Sequence, residues 1–165
     1  MQRVQRISPC LWFDGRAEEA AGFYTSIFKN SKIGGISRYG EEGYEVHGQR
    51  PGTVLTVSFE LDGQSFTALN GGPLFQFNEA VSFQVNCDTQ AEIDEYWEKL
   101  RAGGDESAQQ CGWLKDKFGV SWQVVPTVLP ELIKDPDTEK SGRVMKALLQ
   151  MKKLDIAALK RAYAG

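Results

Sequence analysis

The 165-residue chain has one histidine, His47, and three cysteines, Cys10, Cys87 and Cys111, with no CxxC among them. So few imidazoles and thiols, so widely spaced, exclude a zinc knuckle and a disulfide framework. No run of eighteen apolar residues occurs, so no membrane-spanning helix is expected. The opening MQRVQRIS lacks the apolar stretch and small-residue cleavage site of a secretory leader, which makes the cytoplasm the expected compartment. Surplus positive charge is also missing. A net charge of -3 and a pI near 5.3 argue against a nucleic-acid partner. Neither GxGxxG nor GxxxxGK[ST] occurs, and Gly34-Gly35 and Gly71-Gly72 are too short to cradle phosphates.

What is present is a plan used twice. Ile7–Phe13 is a strand-like apolar run in which Pro9, lacking a ladder donor, favours an edge or a bulge. Ala17, Ala20, Ala21, Tyr24, Ile27 and Phe28 follow at helical spacing, and Ile33–Tyr39 makes a weak strand. Residues 40–52 are polar and glycine-rich, long enough to cover a pocket mouth. Val54–Leu61 and Gln64–Asn70 flank Asp62-Gly63, a strong hairpin signal. The second round starts with Val81–Cys87 and a helix over Ala91–Leu100. Thr89 and Glu92 are placed as its capping box. A short strand around Gln109–Leu114, a turn over Asp116–Gly119 and a strand over Val120–Val125 complete it. After Pro126 the pattern turns helical. Asp135-Pro136 reads as a cap with a first-turn proline, and Asp155 as the cap of a last helix.

Alternate strand residues face opposite ways. If the larger apolar sets meet the helices, the other faces carry Ser8, Cys10 and Trp12, then Thr56, Ser58 and Glu60. They continue with Ser82, Gln84 and Asn86, and with Ser121, Gln123 and Val125. Such a surface is polar but almost uncharged, suited to a ligand that hydrogen-bonds and stacks. The plainer alternative is a sheet face that simply meets water. Cys87 and Trp122 fall with the helix-facing sets and read as core, leaving Trp12 and Trp113 as the aromatic candidates. The charges of Lys115–Lys117 read as a solvated turn.

ISPCLWFDGRAEEAAGFYTSIFKNSKI, VLTVSFELDGQSFTALNGG, DKFGVSWQVVPTVLPEL and RVMKALLQMKKLDIAALKRAYAG together resemble PhnB-like proteins. These belong to the vicinal-oxygen-chelate superfamily of glyoxalase I, bleomycin-resistance proteins and extradiol dioxygenases, in a branch sometimes labelled a 3-demethylubiquinone 3-methyltransferase domain. The resemblance covers most of the chain. It implies paired β-α-β-β-β modules, a cavity in their curved sheets, and a homodimer. By the motif match, the superfamily's metal-ligand positions fall near Ser8, within Thr56–Glu60, at Ser82 and at Gln123. Hydroxyl and neutral amide oxygens are poor ligands for a divalent ion without carboxylates or imidazoles beside them. The methyltransferase label implies S-adenosylmethionine, for which Asp14-Gly15-Arg16 does not supply the usual glycine-rich turn.

The expected fold is therefore α+β: a first β-α-β-β-β module over 1–73, a second over 74–128, and a helical extension over 129–165. The expected function is metal-free and cofactor-free binding of a small polar or aromatic molecule, with Ser8, Trp12, Ser58, Ser82, Gln84, Trp113 and Gln123 as its contacts. One alternative is a divergent lyase, isomerase or transferase acting through Glu60, Cys10 or His47. Another is a structural homodimer with Met145, Leu148 and Met151 as its seam.

Overall fold

A computed structural model describes residues 4–165. The chain forms two compact units, the first ending at Phe77 and the second spanning Asn78–Gly165. The C-terminal helices belong to the second unit. The fold is α+β with mixed sheets.

The first unit runs β1 (Cys10–Phe13), α1 (Ala17–Ile27), β2 (Lys32–Arg38), α2 (Tyr44–His47), β3 (Val54–Leu61) and β4 (Gln64–Asn70). Its sheet has the order β1-β4-β3-β2, with β1 parallel to β4 and the other pairs antiparallel. β1 begins three residues later than the sequence suggests. Pro9 has no N–H to give and contributes only its carbonyl, to Thr67 N at 2.9 Å. One sheet face, with Leu11, Phe13, Val57, Phe59, Leu61 and Ala68, is buried together with the Ala17, Ala20, Ala21, Tyr24 and Ile27 stripe of α1. Three alanines on that stripe let the helix sit close, and the Tyr24 ring stacks on Phe59 with centroids 6.2 Å apart. The β3–β4 hairpin closes through Asp62 and Gly63, both at positive φ (48° and 75°), as a two-residue turn of this kind demands.

The second unit runs β5 (Ser82–Cys87), α3 (Gln90–Arg101), a 3₁₀ turn (Glu106–Ala108), β6 (Trp113–Lys115), β7 (Ser121–Pro126), α4 (Leu129–Ile133), α5 (Thr138–Leu148) and α6 (Ile156–Ala164). Its sheet, β5-β7-β6, repeats the β1-β4-β3 order of the first, with a parallel and an antiparallel pair. The counterpart of β2 is reduced to a single bridge, Gln110 with Trp113. Residues 102–112 contain no β-branched side chain. Asp105 caps a 3₁₀ turn there, and Cys111 and Gly112, at φ 52° and 86°, form a tight turn back into β6. The turn's two N–H groups donate to the carbonyls of Met151 and Lys152, both at 2.8 Å.

That contact joins the helical extension to the sheet, and Gln90 adds a second join. Its amide donates to Leu154 O (3.0 Å) and accepts from Ile156 N (2.8 Å). Leu129, Leu132, Val144, Leu148, Leu154 and Leu159 form the core of the extension. Thr89 caps α3 through Glu92 N as the spacing predicts, and Asp155 caps α6. The cap of α5 differs from expectation. Asp137 accepts from Glu139 N and Lys140 N, and the helix starts at Thr138, two residues beyond Pro136. Asp135 instead accepts from Asp137 N and from the Tyr163 hydroxyl.

Candidate functional site

The alternation read from the sequence orders both sheets. Opposite the buried face of the first sheet, the register lines up Cys10, Thr67 and Ser58 as one row. Ser65, Glu60 and Lys32 form the row on one side, and Trp12, Leu69, Thr56 and Ser37 the row on the other. Beside the first two rows lies a shallow hollow of about 180 Å³, lined by Lys32, Gly34, Ser58, Glu60, Ser65 and Thr67 among others. Hydroxyls dominate. Ser37 and Thr56 bond to each other at 2.5 Å, and Glu60 pairs with Lys32 at 3.6 Å.

Several candidate side chains have local duties here. Trp12 donates its indole N–H to Gly72 O at 2.8 Å and meets Phe75 edge-on at 4.9 Å. A Cβ on Gly71 would come within 2.3 Å of the Trp12 ring, so glycine is required for this approach. Ser8 is exposed and precedes β1. Cys10 is exposed on the edge strand, and partial burial of its thiol raises the pKa, which favours the unreactive protonated form. His47 Nδ1 accepts from Gln49 N at 2.9 Å, leaving Nε2 to donate to Glu42 O at 3.0 Å, while the ring tilts against Tyr39. Both ring nitrogens therefore serve the 40–52 loop.

Cys10 and Glu60 are not brought together. Cys10 and Glu60 lie on β1 and β3, either side of β4, which separates them by about 10 Å of sheet.

The second sheet presents a more concentrated array. Ser82, Ser121 and Lys115 are in register, followed by Gln84, Gln123 and Trp113. Leu114, Trp122, Val124, Val85 and Cys87 point the other way and are buried. Burial, with Glu92 and Asp88 nearby, pushes the Cys87 thiol up to about 12, as suits a core residue. On the array side, Gln123 Nε2 donates to Ser82 Oγ at 2.9 Å. Lys115 is ion-paired with Glu79, whose carboxyl is held below its ordinary range by hydrogen bonds from Lys115 and a backbone amide. Trp113 borders an open hollow of about 370 Å³ with Glu79, Ala108, Gln110 and Cys111. Gln84 is exposed at the edge of the same face.

One residue escaped the sequence reading, and one that was placed on the polar face is more buried than its parity implies. Asp116 is not part of a solvated turn: it is 2% exposed. Its Oδ1 accepts from Phe118 N (2.8 Å) and Val120 N (3.0 Å), and its Oδ2 from the Trp122 indole (2.9 Å). The spacing Asp116-x-Phe118-Gly119 carries the signal of an Asx turn, and the flanking lysines masked it. Ser121 has the parity of Gln123 but is 1% exposed, and its Oγ has no hydrogen-bond partner in the protein.

A divalent ion does not fit these residues. Among the described residues no group of three or more His, Cys, Asp or Glu side chains is placed to hold one. Two of the four positions implied by the superfamily, Ser82 and Gln123, bond to each other instead.

The profile of the family described as 3-demethylubiquinone-9 3-methyltransferase matches residues 5–125. A PhnB protein of Bacillus cereus, bearing the same description, is 40% identical over 74% of this chain and 100% of its own, with a TM-score of 0.63. A Pseudomonas aeruginosa protein at 19% identity covers 74% of this chain and 98% of its own, with a TM-score of 0.56. The fosfomycin resistance protein FosX of Listeria monocytogenes, solved with Mn(II) and sulfate, is 16% identical over 81% of this chain and 97% of its own, with a TM-score of 0.53. The last two share the fold. No curated protein matches the chain. The profile and the 40% identical relative show that the chain belongs to the 3-demethylubiquinone-9 3-methyltransferase family, the PhnB-like branch of the vicinal-oxygen-chelate superfamily.

Proposed function

We propose that the protein binds a small neutral molecule on the polar face of its second sheet, without a metal ion. The Gln123–Ser82 bond carries this reading. An amide and a hydroxyl occupy positions where superfamily enzymes need carboxylate or imidazole, and they satisfy each other rather than an ion. Trp113, in register with Gln123, lines a hollow with Glu79, Ala108, Gln110 and Cys111 that offers apolar contact area, a usual part of a small-molecule site.

The methyl transfer in the family's name is not supported. S-adenosylmethionine would need an open cradle at the turn after the first strand. Here the first N–H of α1, Ala17 N, is taken at 2.9 Å by the buried Asn70 side chain, and Arg16 is paired with Glu19. FosX is named for fosfomycin resistance, but at 16% identity it lends the fold and no substrate.

Gln123→Leu tests the site, since it removes the amide at similar volume. Fragments from an aromatic set are expected to shift the NMR signals of Ser82, Gln84 and Trp113 in the parent protein and not in the variant. The variant's Tm should stay within about 3 °C. Fragments that bind the variant equally well, or that map to no residue of this face, overturn the reading.

A homodimer is part of the same proposal. Leu74 and Phe75 are 74% and 60% exposed, a surface that a second copy would cover. Light scattering at micromolar concentration should return twice the chain mass. The chain mass itself would refute the dimer.

A further inference from the structure

The helices α5 and α6 reverse the charge of the chain. Residues 138–165 hold seven lysines and arginines against two acids, Glu139 and Asp155, although the whole chain is at -3. Three of the seven meet at one place. An open hollow of about 440 Å³ is lined by Arg143, Lys146 and Ala147 of α5, Arg161 and Ala162 of α6, and Gln150 and Gly165 just past the helices. Residues 143, 146, 147 and 150 keep the i, i+3, i+4, i+7 spacing of one helix face. No Asp or Glu side chain lines the hollow, and among the described residues no carboxylate pairs with Arg143, Lys146 or Arg161. Arg16, Lys32, Lys99, Arg101, Lys115 and Lys153, by contrast, all have such a partner. Arg143 is half-buried and held in place. Its Nε and Nη2 donate to Ala162 O and Tyr163 O, both at 2.8 Å, which covers two of the last carbonyls of α6. The remaining N–H groups of its guanidinium make no bond among the described residues.

We propose that this hollow binds a phosphate monoester, with the phosphoryl group among the three cations and the organic group over Ala147 and Ala162. Such a phosphoryl group brings close to two negative charges at pH 7 and three acceptor oxygens, one for each cation. Arginine suits it because the planar guanidinium offers parallel N–H donors to two oxygens. A carboxylate brings one charge and two oxygens and leaves a cation unmatched. The short alanine side chains leave an apolar floor between the longer cationic ones, and the volume falls in the range of small-molecule sites. Lys146 and Arg161 also lie in the last turns of their helices, where the dipole favours cations. That role accounts for each of them singly, and not for their meeting Arg143 at one hollow with no acidic side chain. The site is separate from the sheet face proposed above, and neither reading depends on the other.

Phenyl phosphate, inorganic phosphate and benzoate serve as soluble probes, each titrated into the isotope-labelled full chain and followed by ¹H–¹⁵N spectra. Phenyl phosphate is expected to give saturable shifts at Lys146, Ala147, Arg161 and Ala162, and the other two to bind about fivefold more weakly or worse. The double variant Lys146→Gln, Arg161→Gln should weaken phenyl phosphate about tenfold or more. Its Tm should stay within about 3 °C of the parent's. Vesicles distinguish a lipid headgroup from a soluble ester. Pelleting with phosphatidylcholine vesicles that contain phosphatidic acid, and not with phosphatidylcholine alone, supports the site with a lipid source if the double variant stays in solution. Phenyl phosphate binding without pelleting supports it with a soluble source. A double variant that loses Tm and keeps its affinity shows cations that serve only the helices, and overturns the proposal. So does benzoate or inorganic phosphate binding as tightly as phenyl phosphate, or no shift at these residues with any soluble probe.

Discussion

The two sheets share an order and differ in how they are held. Each has a parallel pair, an antiparallel hairpin and one helix across its apolar face. The first closes its hairpin with Asp62-Gly63, an exposed turn whose shape depends on two positive φ angles. The second closes its hairpin around the buried carboxylate of Asp116. The first has a full fourth strand; the second has only the Gln110 bridge, and the C-terminal chain binds the turn beside it. Losing a strand leaves a short sheet that needs other anchors, and those anchors come from a buried charge and from residues far along the chain.

The contrast predicts where each unit breaks. Asp116→Ala should have the largest effect, leaving the Trp122 indole and two backbone N–H groups without their acceptor in a closed interior. A loss of about 3–5 kcal/mol is expected, read by chemical denaturation. Hydrogen exchange should show that loss centred on β6 and β7. Asn70→Ala is the equivalent test in the first unit. Asn70 accepts from Ala17 N and donates to Val54 O, both neutral bonds, so about 2–3 kcal/mol is expected, with faster exchange at the start of α1. Equal losses from the two variants would erase the distinction between a charged and a neutral anchor.

Gly112→Ala comes next. A Cβ there would strain a φ of 86° and meet Leu154 at 3.0 Å and Val124 O at 3.1 Å. It should cost roughly 1–3 kcal/mol and loosen the extension without disturbing the first unit, as hydrogen exchange would show.

Acid should act most weakly. Asp94 is held below its ordinary range by hydrogen bonds from Lys153 and then Gln90, and Asp135 by Tyr163 and then Asp137 N. A folded pKa below the unfolded value gives stability that is present above about pH 4 and lost as pH falls through the folded value. The urea midpoint of the second unit should therefore drop modestly below pH 4, and the Asp94 share of that drop should shrink in high salt, since its ion pair with Lys153 is solvent-exposed. A midpoint that rises on acidification would contradict the sign.

The fold was largely legible in the sequence because alternation and turn residues carry it. Leu11, Phe13, Val57 and Phe59 face the core as their spacing requires, and Thr89 caps α3 as placed. The lost strand was harder to see, because Gln109–Leu114 contains Cys, Trp and Leu beside the turn residue Gly112, and only positive φ at Cys111 and Gly112 shows a turn in place of a strand. Trp12 looked free for stacking, yet its indole is committed to Gly72, an assignment that depends on chain sixty residues away. Burial of Asp116 and Ser121 depends on tertiary packing, which no local pattern reports.

The most direct test of metal-free binding is the ¹H–¹⁵N spectrum of the protein with one equivalent of Mn(II), whose unpaired electrons broaden signals near a bound ion. Ser82, Gln123 and Trp113 are expected to keep their intensities. Selective loss of the Ser82 and Gln123 signals, reversed by a chelator, would show an ion seated between them and contradict the central claim.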